Sequence, residues 1–346
     1  GIRDFLLSEI ARIVESCDAI SLSLYVMTPP DSTKMQVTIK VNKMDAVHQL
    51  KIEPGMSIDA LVRGWSQCGF GARRLAQAAD IYERMLSGDF TKFLTLSGAM
   101  VPAGMRHVVS DLIRGGYVDV LVTTGANLVH DIIESFSCHT LGCAESNDSS
   151  LRTLGVSRIY DVFIRDEDFV AFEELMQSIF PESAESISGR QLLNILGSRI
   201  SDERSILRSA YDMEVPVFCP ALPDSMIGLQ AWMFSQTKKL SVDAFADIRE
   251  IVDICYNSER AGVVIVGGGV PKNFTLQSML VTPNSFDLAI QLTTDTPENG
   301  GLSGATLSEA ISWGKISESA SYVTVYGDAT ITLPLMVGAA LERLKK

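Results

Sequence analysis

The residues that could do chemistry in this chain fall in a few short stretches. One is SGATLSEAISWGKISES, residues 303–319, where Lys315 follows Trp313 and Gly314 and stands six positions after Glu309. A lysine on an exposed helix ordinarily has long polar neighbours. This one is placed as a cation against an aromatic wall, the competing reading being a solvated lysine at a helix terminus. A second set is formed by small-residue segments that each follow an apolar run: SGA (97–99), TTGAN (123–127), PDS (223–225), GGG (267–269), TTD (293–295) and GD (327–328). Small residues let backbone approach a ligand closely, and the bare N–H groups of a glycine run can face an anion. VVIVGGGVPKN departs from GxGxxG, because Lys272 stands where the third glycine belongs. One glycine run reads as a turn; several such ends together point to a dinucleotide site. Asp224 and Asp328 each suit either a ribose hydroxyl or a helix N-cap. His130, after TTGANLV, has no serine or cysteine nucleophile signature near it, so a hydrolase triad has no support. Cys138 and Cys143 bracket His139, but zinc needs about four ligands, the second pair is missing, and no metal site is expected.

The elements that must position these residues follow from hydrophobic pattern. Residues 72–87 read as a helix, KFLTLSG (92–98) as a strand, 103–115 as a helix, YVDVLVTTGAN (117–127) as a strand and 128–136 as a helix. VPVFCPAL (215–222), AGVVIVGGG (261–269), FDLAIQLTT (286–294) and YVTVYGDAT (322–330) add four strands. Continuous apolarity marks strands covered on both faces. Alternation with helices predicts an α/β fold: a doubly wound, Rossmann-like parallel sheet with helices on both faces and ligands at the carboxyl ends of its strands. Residues 1–50 read as a separate N-terminal extension, with a helix at 3–16, a Pro-Pro-Asp turn and a strand around 35–41. Pro54-Gly55 marks the boundary, Ser57 is a candidate N-cap, and 51–346 forms the main domain.

Composition narrows the class. At 346 residues and 46 % hydrophobic, the chain can bury one large core or two modest ones. It has no uninterrupted apolar run of about 18 residues, and residues 1–17 lack a signal-peptide apolar block, so a cytoplasmic protein is expected. A net charge of −13, from 42 acids against 29 bases, disfavours nucleic acid and draws in small cations or a basic protein partner.

Taken in order, VDVLVTTGAN, CPALPDSMIG, GGGVPKN, SGATLSEAISWGKI and VYGDATITLPL resemble deoxyhypusine synthases, from about residue 51 to the C-terminus, and GGGxPKN with GGLSGA is similar to the family's divergent prokaryotic branch. The resemblance implies an NAD-dependent aminobutyl transfer. Hydride leaves spermidine for NAD, and Lys315 takes the butylamine as a Schiff base. An acceptor amine then receives it: a lysine of the initiation factor 5A precursor or, in related enzymes, a small amine that yields homospermidine or an alkylated agmatine. A non-catalytic NAD-binding subunit is the remaining alternative. By the same resemblance Lys315 is the nucleophile, and Trp313, Glu309, Asn273, Ser303 and His130 meet the substrate. Ser97, Thr123, Thr124, Gly125, Asp224, Gly267, Gly268, Gly269, Thr294, Gly300 and Asp328 line the NAD site. A homotetramer with sites at a dimer interface is implied. The departures bear on specificity: Asn273 stands for a histidine, Leu302 and Leu229 for acids of the polyamine pocket, and His130 for a glutamate. Putrescine or agmatine therefore joins spermidine as a candidate substrate.

Overall fold

The computed structural model describes residues 21–27, 36–41, 46–182 and 185–345; the helix expected at 3–16 and the Pro-Pro-Asp turn lie outside them. In chain order the strands are β1 (Ser21–Met27), β2 (Gln36–Val41), β3 (Thr91–Leu96), β4 (Val120–Thr123), β5 (Thr140–Leu141), β6 (Val156–Ile159), β7 (Val162–Arg165), β8 (Ile187–Ser188), β9 (Val217–Phe218), β10 (Val242–Asp243), β11 (Ala261–Val266), β12 (Phe286–Thr293) and β13 (Ile316–Tyr326). The chain divides into two compact units between Leu50 and Lys51. In the first, β1 and β2 pair antiparallel.

In the second, apolar strands satisfy their backbone groups in one six-stranded sheet of spatial order β9-β4-β3-β11-β12-β13, every pair parallel. Counted along the chain, that order is 3-2-1-4-5-6, the doubly wound arrangement with its switch point between the first and fourth strands. Successive side chains alternate between two cores. Leu94, Leu96, Leu121, Val264, Val266, Ile290 and Leu292 meet one layer of helices, including Phe70–Ser87, Gly125–Ile133 and Ala329–Leu344. Phe93, Val120, Val122, Val263, Ile265 and Phe286 meet Ile251, Cys255, Leu276, Met279, Leu307 and Ala310, from helices Ala244–Asn257, Gly269–Met279 and Leu307–Ser312. Burial on both faces explains why these strands are apolar throughout. Among the described residues no helix is long and apolar enough to cross a membrane.

Boundaries differ from the sequence expectation where caps intervene. The Thr124 side chain accepts from Asn127 N–H, so the helix after β4 starts at Gly125 rather than 128, and β4 stops at Thr123. The helix expected from 103 opens with a π-type turn, Val101–Met105, in which Gly104 has φ 85°; the regular helix is Arg106–Arg114. β9 is only two residues long at the sheet edge. β13 begins at Ile316, before the expected 322, with a register irregularity opposite Phe286–Leu288. It ends at Tyr326, and Asp328 caps the next helix.

Helix Gly125–Ile133 is fixed from below by Asp131, which is 0 % exposed. Its carboxylate accepts from Arg106 Nε (2.7 Å), Ser205 Oγ (2.7 Å), Ile206 N–H (2.9 Å) and Leu207 N–H (3.0 Å). Removing Asp131 leaves Ser205 Oγ and two backbone N–H groups without their acceptor, and leaves the buried Arg106 guanidinium with the partly exposed Asp202 (2.7 Å) as its remaining carboxylate. Asp131→Ala should lower the unfolding free energy by about 3–5 kcal/mol in a urea titration; a loss below about 1 kcal/mol, the range of an exposed ion pair, would contradict this anchoring role.

Candidate active site

The carboxyl ends of β3 and β11, at the switch point, are stitched together by backbone and small side chains. Ser97 N–H donates to Val266 O (3.0 Å), and Ser97 Oγ donates to Gly268 O (2.5 Å). Gly267 has φ 74° and Gly269 φ 59°, the left-handed region that glycine adopts without a Cβ penalty. Gly268 is extended but crowded: a Cβ there would lie 2.4 Å from Ser303 Cα. The triple-glycine loop therefore touches the segment 301–305, and Gly269 opens helix Gly269–Met279 with its free N–H groups at that loop.

Beneath this contact is a buried polar pair that sequence reasoning did not assign to the site. Lys272 is 4 % exposed and Gln291, in the middle of β12, is 1 % exposed. The Lys272 ammonium donates to Gln291 Oε1 (3.1 Å), Leu302 O (3.2 Å) and Ala305 O (2.5 Å). Gln291 Nε2 donates to Gly267 O (3.0 Å) and Ser303 O (2.8 Å). Burial, reinforced by the positive Lys315 and opposed by Glu309, pushes the Lys272 pKa down to about 8. The signal for Gln291 was present in the sequence: it is a lone amide inside the apolar run LAIQLT.

Segment 301–305 leads into helix Leu307–Ser312. Thr306 and Glu309 form its capping box, with Glu309 Oε1 accepting from Thr306 N–H (3.3 Å) and Oγ1 (3.1 Å). The helix closes through Gly314 (φ 69°), whose N–H donates to Ile311 O, and Lys315 N–H donates to Ala310 O. Lys315 is half-buried, and its Nζ lies 5.5 Å from the centroid of the Trp313 ring, which is 66 % exposed. Its backbone stands at the entry to β13, not at a carboxyl end, so helix Leu307–Ser312 links it to the switch-point loops. Lys315 and Glu309 both act electrostatically on Lys272.

The remaining expected site residues are dispersed among three places. Asn273 and Leu302 line a groove of about 250 Å³ with Ile248, Val252, Val270, Phe274 and Val281, whereas Leu229 is not part of it. Asp328 and Thr330 line a cavity of about 680 Å³ with Ala99, Val101, Pro102, Ala103, Gly104, Arg106, His107, Glu134 and His139. Asp328 Oδ1 also caps its helix, accepting from Thr330 N–H (2.8 Å). Gly125 lies against Ser225, where a Cβ would come within 2.2 Å, so the β4 and β9 ends adjoin. There Ser225, not Asp224, caps the following helix, and Asp224 is exposed with no side-chain bond among the described residues. Thr123 is buried, its hydroxyl donating to Leu96 O. Thr294 and Gly300 are exposed at the β12 end. His130 Nδ1 lies 2.9 Å from His139 Nε2, and His139 Nδ1 lies 2.5 Å from Glu134 Oε1. Burial, with the neighbouring His139, pushes the His130 pKa down to about 4, so it is neutral near pH 7.

A deoxyhypusine synthase family model matches residues 60–340. The chain belongs to the deoxyhypusine synthase family. It is 56 % identical to "Probable deoxyhypusine synthase 1" of Methanosarcina mazei over 308 residues, 88 % of this chain and 97 % of that one. It is 46 % identical to the protein of the same name from Archaeoglobus fulgidus, over 85 % and 97 % of the two chains. The crystal structure of an Entamoeba histolytica protein named as a deoxyhypusine synthase shares the fold, with TM-score 0.62 at 20 % identity over 83 % of this chain and 94 % of that one. The family is one of transferases, and the matched span includes the triple-glycine loop, the buried Lys272–Gln291 pair and the Trp313–Lys315 segment.

The Gly268–Ser303 contact makes the glycine obligatory on steric grounds alone. Gly268→Ala should cost about 1–3 kcal/mol, the range for overpacking, read by urea or thermal unfolding; a variant as stable as the parent would show that the two loops do not meet.

Proposed function

We propose that this protein is an NAD-dependent aminobutyl transferase that moves the butylamine of spermidine, through Lys315, to a lysine of the initiation factor 5A precursor. The observation that carries the reading is the junction of a glycine loop at a doubly wound switch point with the helix that presents Lys315. Several features of the chain suit a dinucleotide: the uncapped N-terminus of helix Gly269–Met279, the Cβ-free approach at Gly267–Gly269 and the hydroxyl of Ser97. Thr123, Thr124 and Gly125 with Asp224, Thr294 and Gly300, and Asp328 are further residues to hold it, Asp224 having an uncommitted carboxylate for ribose hydroxyls. When bound, NAD supplies the acceptor and later the donor of a hydride.

This chain's own residues then bind, orient and exchange the amine. Trp313 gives the donor's ammonium an aromatic face, and Glu309 keeps Oε2 outside its capping bonds for a charge-assisted contact. Lys315 attacks the imine carbon of the oxidised donor as a free amine. Diaminopropane leaves with the broken C–N bond, and the acceptor amine displaces Lys315 in the same manner. Lys272 cannot compete as nucleophile, because it is buried with its three protons committed to three acceptors. His130 meets the substrate as a neutral imidazole, and Asn273 orients an amine through its amide without titrating.

Exposed apolar residues of helices Met226–Ser235, Ala244–Asn257 and Gly269–Met279, namely Leu229, Trp232, Met233, Phe245, Ile248 and Val270, with Val281 just beyond the last, give the protein a face suited to a second copy. A homotetramer with the sites at its dimer interface would cover it. The groove of Asn273 and Leu302 is apolar, with no acid among its lining residues, which favours a second reading: a small-molecule synthase of the same mechanism, using putrescine or agmatine at least as well as spermidine.

Borohydride reduction in the presence of NAD and the donor should attach the aminobutyl mass to a peptide containing Lys315, and Lys315→Ala should bind NAD but take no label. A label on Lys272 would overturn the assignment. By calorimetry Asp224→Asn should weaken NAD binding by about 1.5–3 kcal/mol, one charge-assisted hydrogen bond, without altering the melt; unchanged affinity would remove Asp224 from the site. Turnover compared between a precursor protein and free amines separates the two acceptor readings.

A further inference from the structure

Lys272 is a buried ammonium with neutral partners only. Its hydrogen bonds end on one amide oxygen and two backbone carbonyls, and no carboxylate contacts it among the described residues. Burial of an unpaired charge is costly, and the proton affinity of the amine is lowered accordingly. An apolar side chain of similar length would avoid that cost if the site were simply core. What the ammonium does here is bridge. With Gln291 it joins the triple-glycine loop at Gly267, strand β12 and the segment Leu302–Ala305 in five hydrogen bonds.

The bridged segment is the root of helix Leu307–Ser312. Six residues are too few to hold a helix by propensity alone. Its place is set by the burial of Leu307 and Ala310, by the return to β12 where Phe286 N–H donates to Lys315 O, and by the segment at its start. We propose that Lys272 is a positioning residue: its ammonium fixes against the glycine loop the root of the helix that carries Glu309 and leads into Trp313 and Lys315, and it takes no part in bond making. This inference rests on Lys315 as the nucleophile.

Full-length Lys272→Met and Lys272→Gln proteins, checked for folding by thermal melt, give the test. Lys272→Met removes the bridge; Lys272→Gln keeps N–H donors of shorter reach and should restore part of it. In hydrogen exchange, peptides spanning 302–312 should exchange about tenfold or more faster in Lys272→Met, while those of helix Gly125–Ile133 keep wild-type protection. The rate of borohydride-trappable adduct at Lys315 should fall on the order of a hundredfold, the scale of a misplacement of about 1 Å, with KM for the donor amine little changed and the rate partly recovered in Lys272→Gln. Unchanged exchange over 302–312 would overturn the proposal, as would a wild-type adduct rate in a loosened variant. If the wild type itself forms no adduct, the nucleophile reading fails, and the exchange comparison still decides whether Lys272 anchors the segment. Should Lys272→Met not fold, Gln291→Leu, which cuts the same bridge from the strand side, takes its place with the same expected exchange and the same overturning result.

Discussion

The arrangement of the site depends on one polar junction buried at the carboxyl end of the sheet. Gln291 is a buried amide in the largely apolar strand β12, where Thr293 at the strand's end is the other buried polar residue, and its amide reaches both Gly267 O and Ser303 O. Buried amides are tolerated only when their groups are paired, and here all three of its hydrogen bonds run to segments that also carry site residues. Lys272 completes the junction. Because the glycine loop and the segment 301–305 already touch at Gly268, the junction leaves little freedom between the edge where a dinucleotide would lie and helix Leu307–Ser312, which leads into Lys315. Two loops that could each adopt many conformations are held as one body.

The surroundings of the lysines at 272 and 315 suit the divided roles proposed for them. One is buried, with all its protons donated, and burial lowers its proton affinity to a pKa of about 8. The other is half-buried beside an exposed indole, where an incoming amine can reach it. If Lys315 is the nucleophile, as proposed, a perturbed pKa alone would select the wrong lysine. Geometry supports the proposed assignment, since an ammonium with three acceptors has no lone pair to offer.

Much of the fold was legible in the sequence. The apolar runs at 92–96, 120–123, 261–266 and 286–293 are strands because both faces are covered, and their alternation with helices gave the parallel, doubly wound sheet. Ser57 caps the first helix of the second unit as expected. What the pattern could not carry were local competitions. Thr124 ended one strand early by capping, Gly104 interrupted a helix, and Lys315 fell at the entry of β13 because that strand begins six residues before its apolar stretch. Of the residues proposed for the site, sequence marked Lys315, Trp313, Glu309 and the glycines, and the family resemblance is met by relatives of 56 % and 46 % identity. It did not mark Gln291 or Glu134, and it weighed His139 only as a metal ligand, because their contacts arise from side-chain pairs between residues five to nineteen positions apart. Lys272 was read as an irregularity in a glycine motif, although it is the residue on which both loops converge.

In the proposed function a dinucleotide lies across the switch point between β3 and β11, with its phosphates toward the N-terminus of helix Gly269–Met279. A crystal structure of the protein grown with NAD tests this directly. The arrangement predicts pyrophosphate density within hydrogen-bonding distance of the Gly267–Gly269 backbone. It is contradicted if NAD is found elsewhere, such as in the apolar groove of Asn273 and Leu302, with the glycine loop untouched.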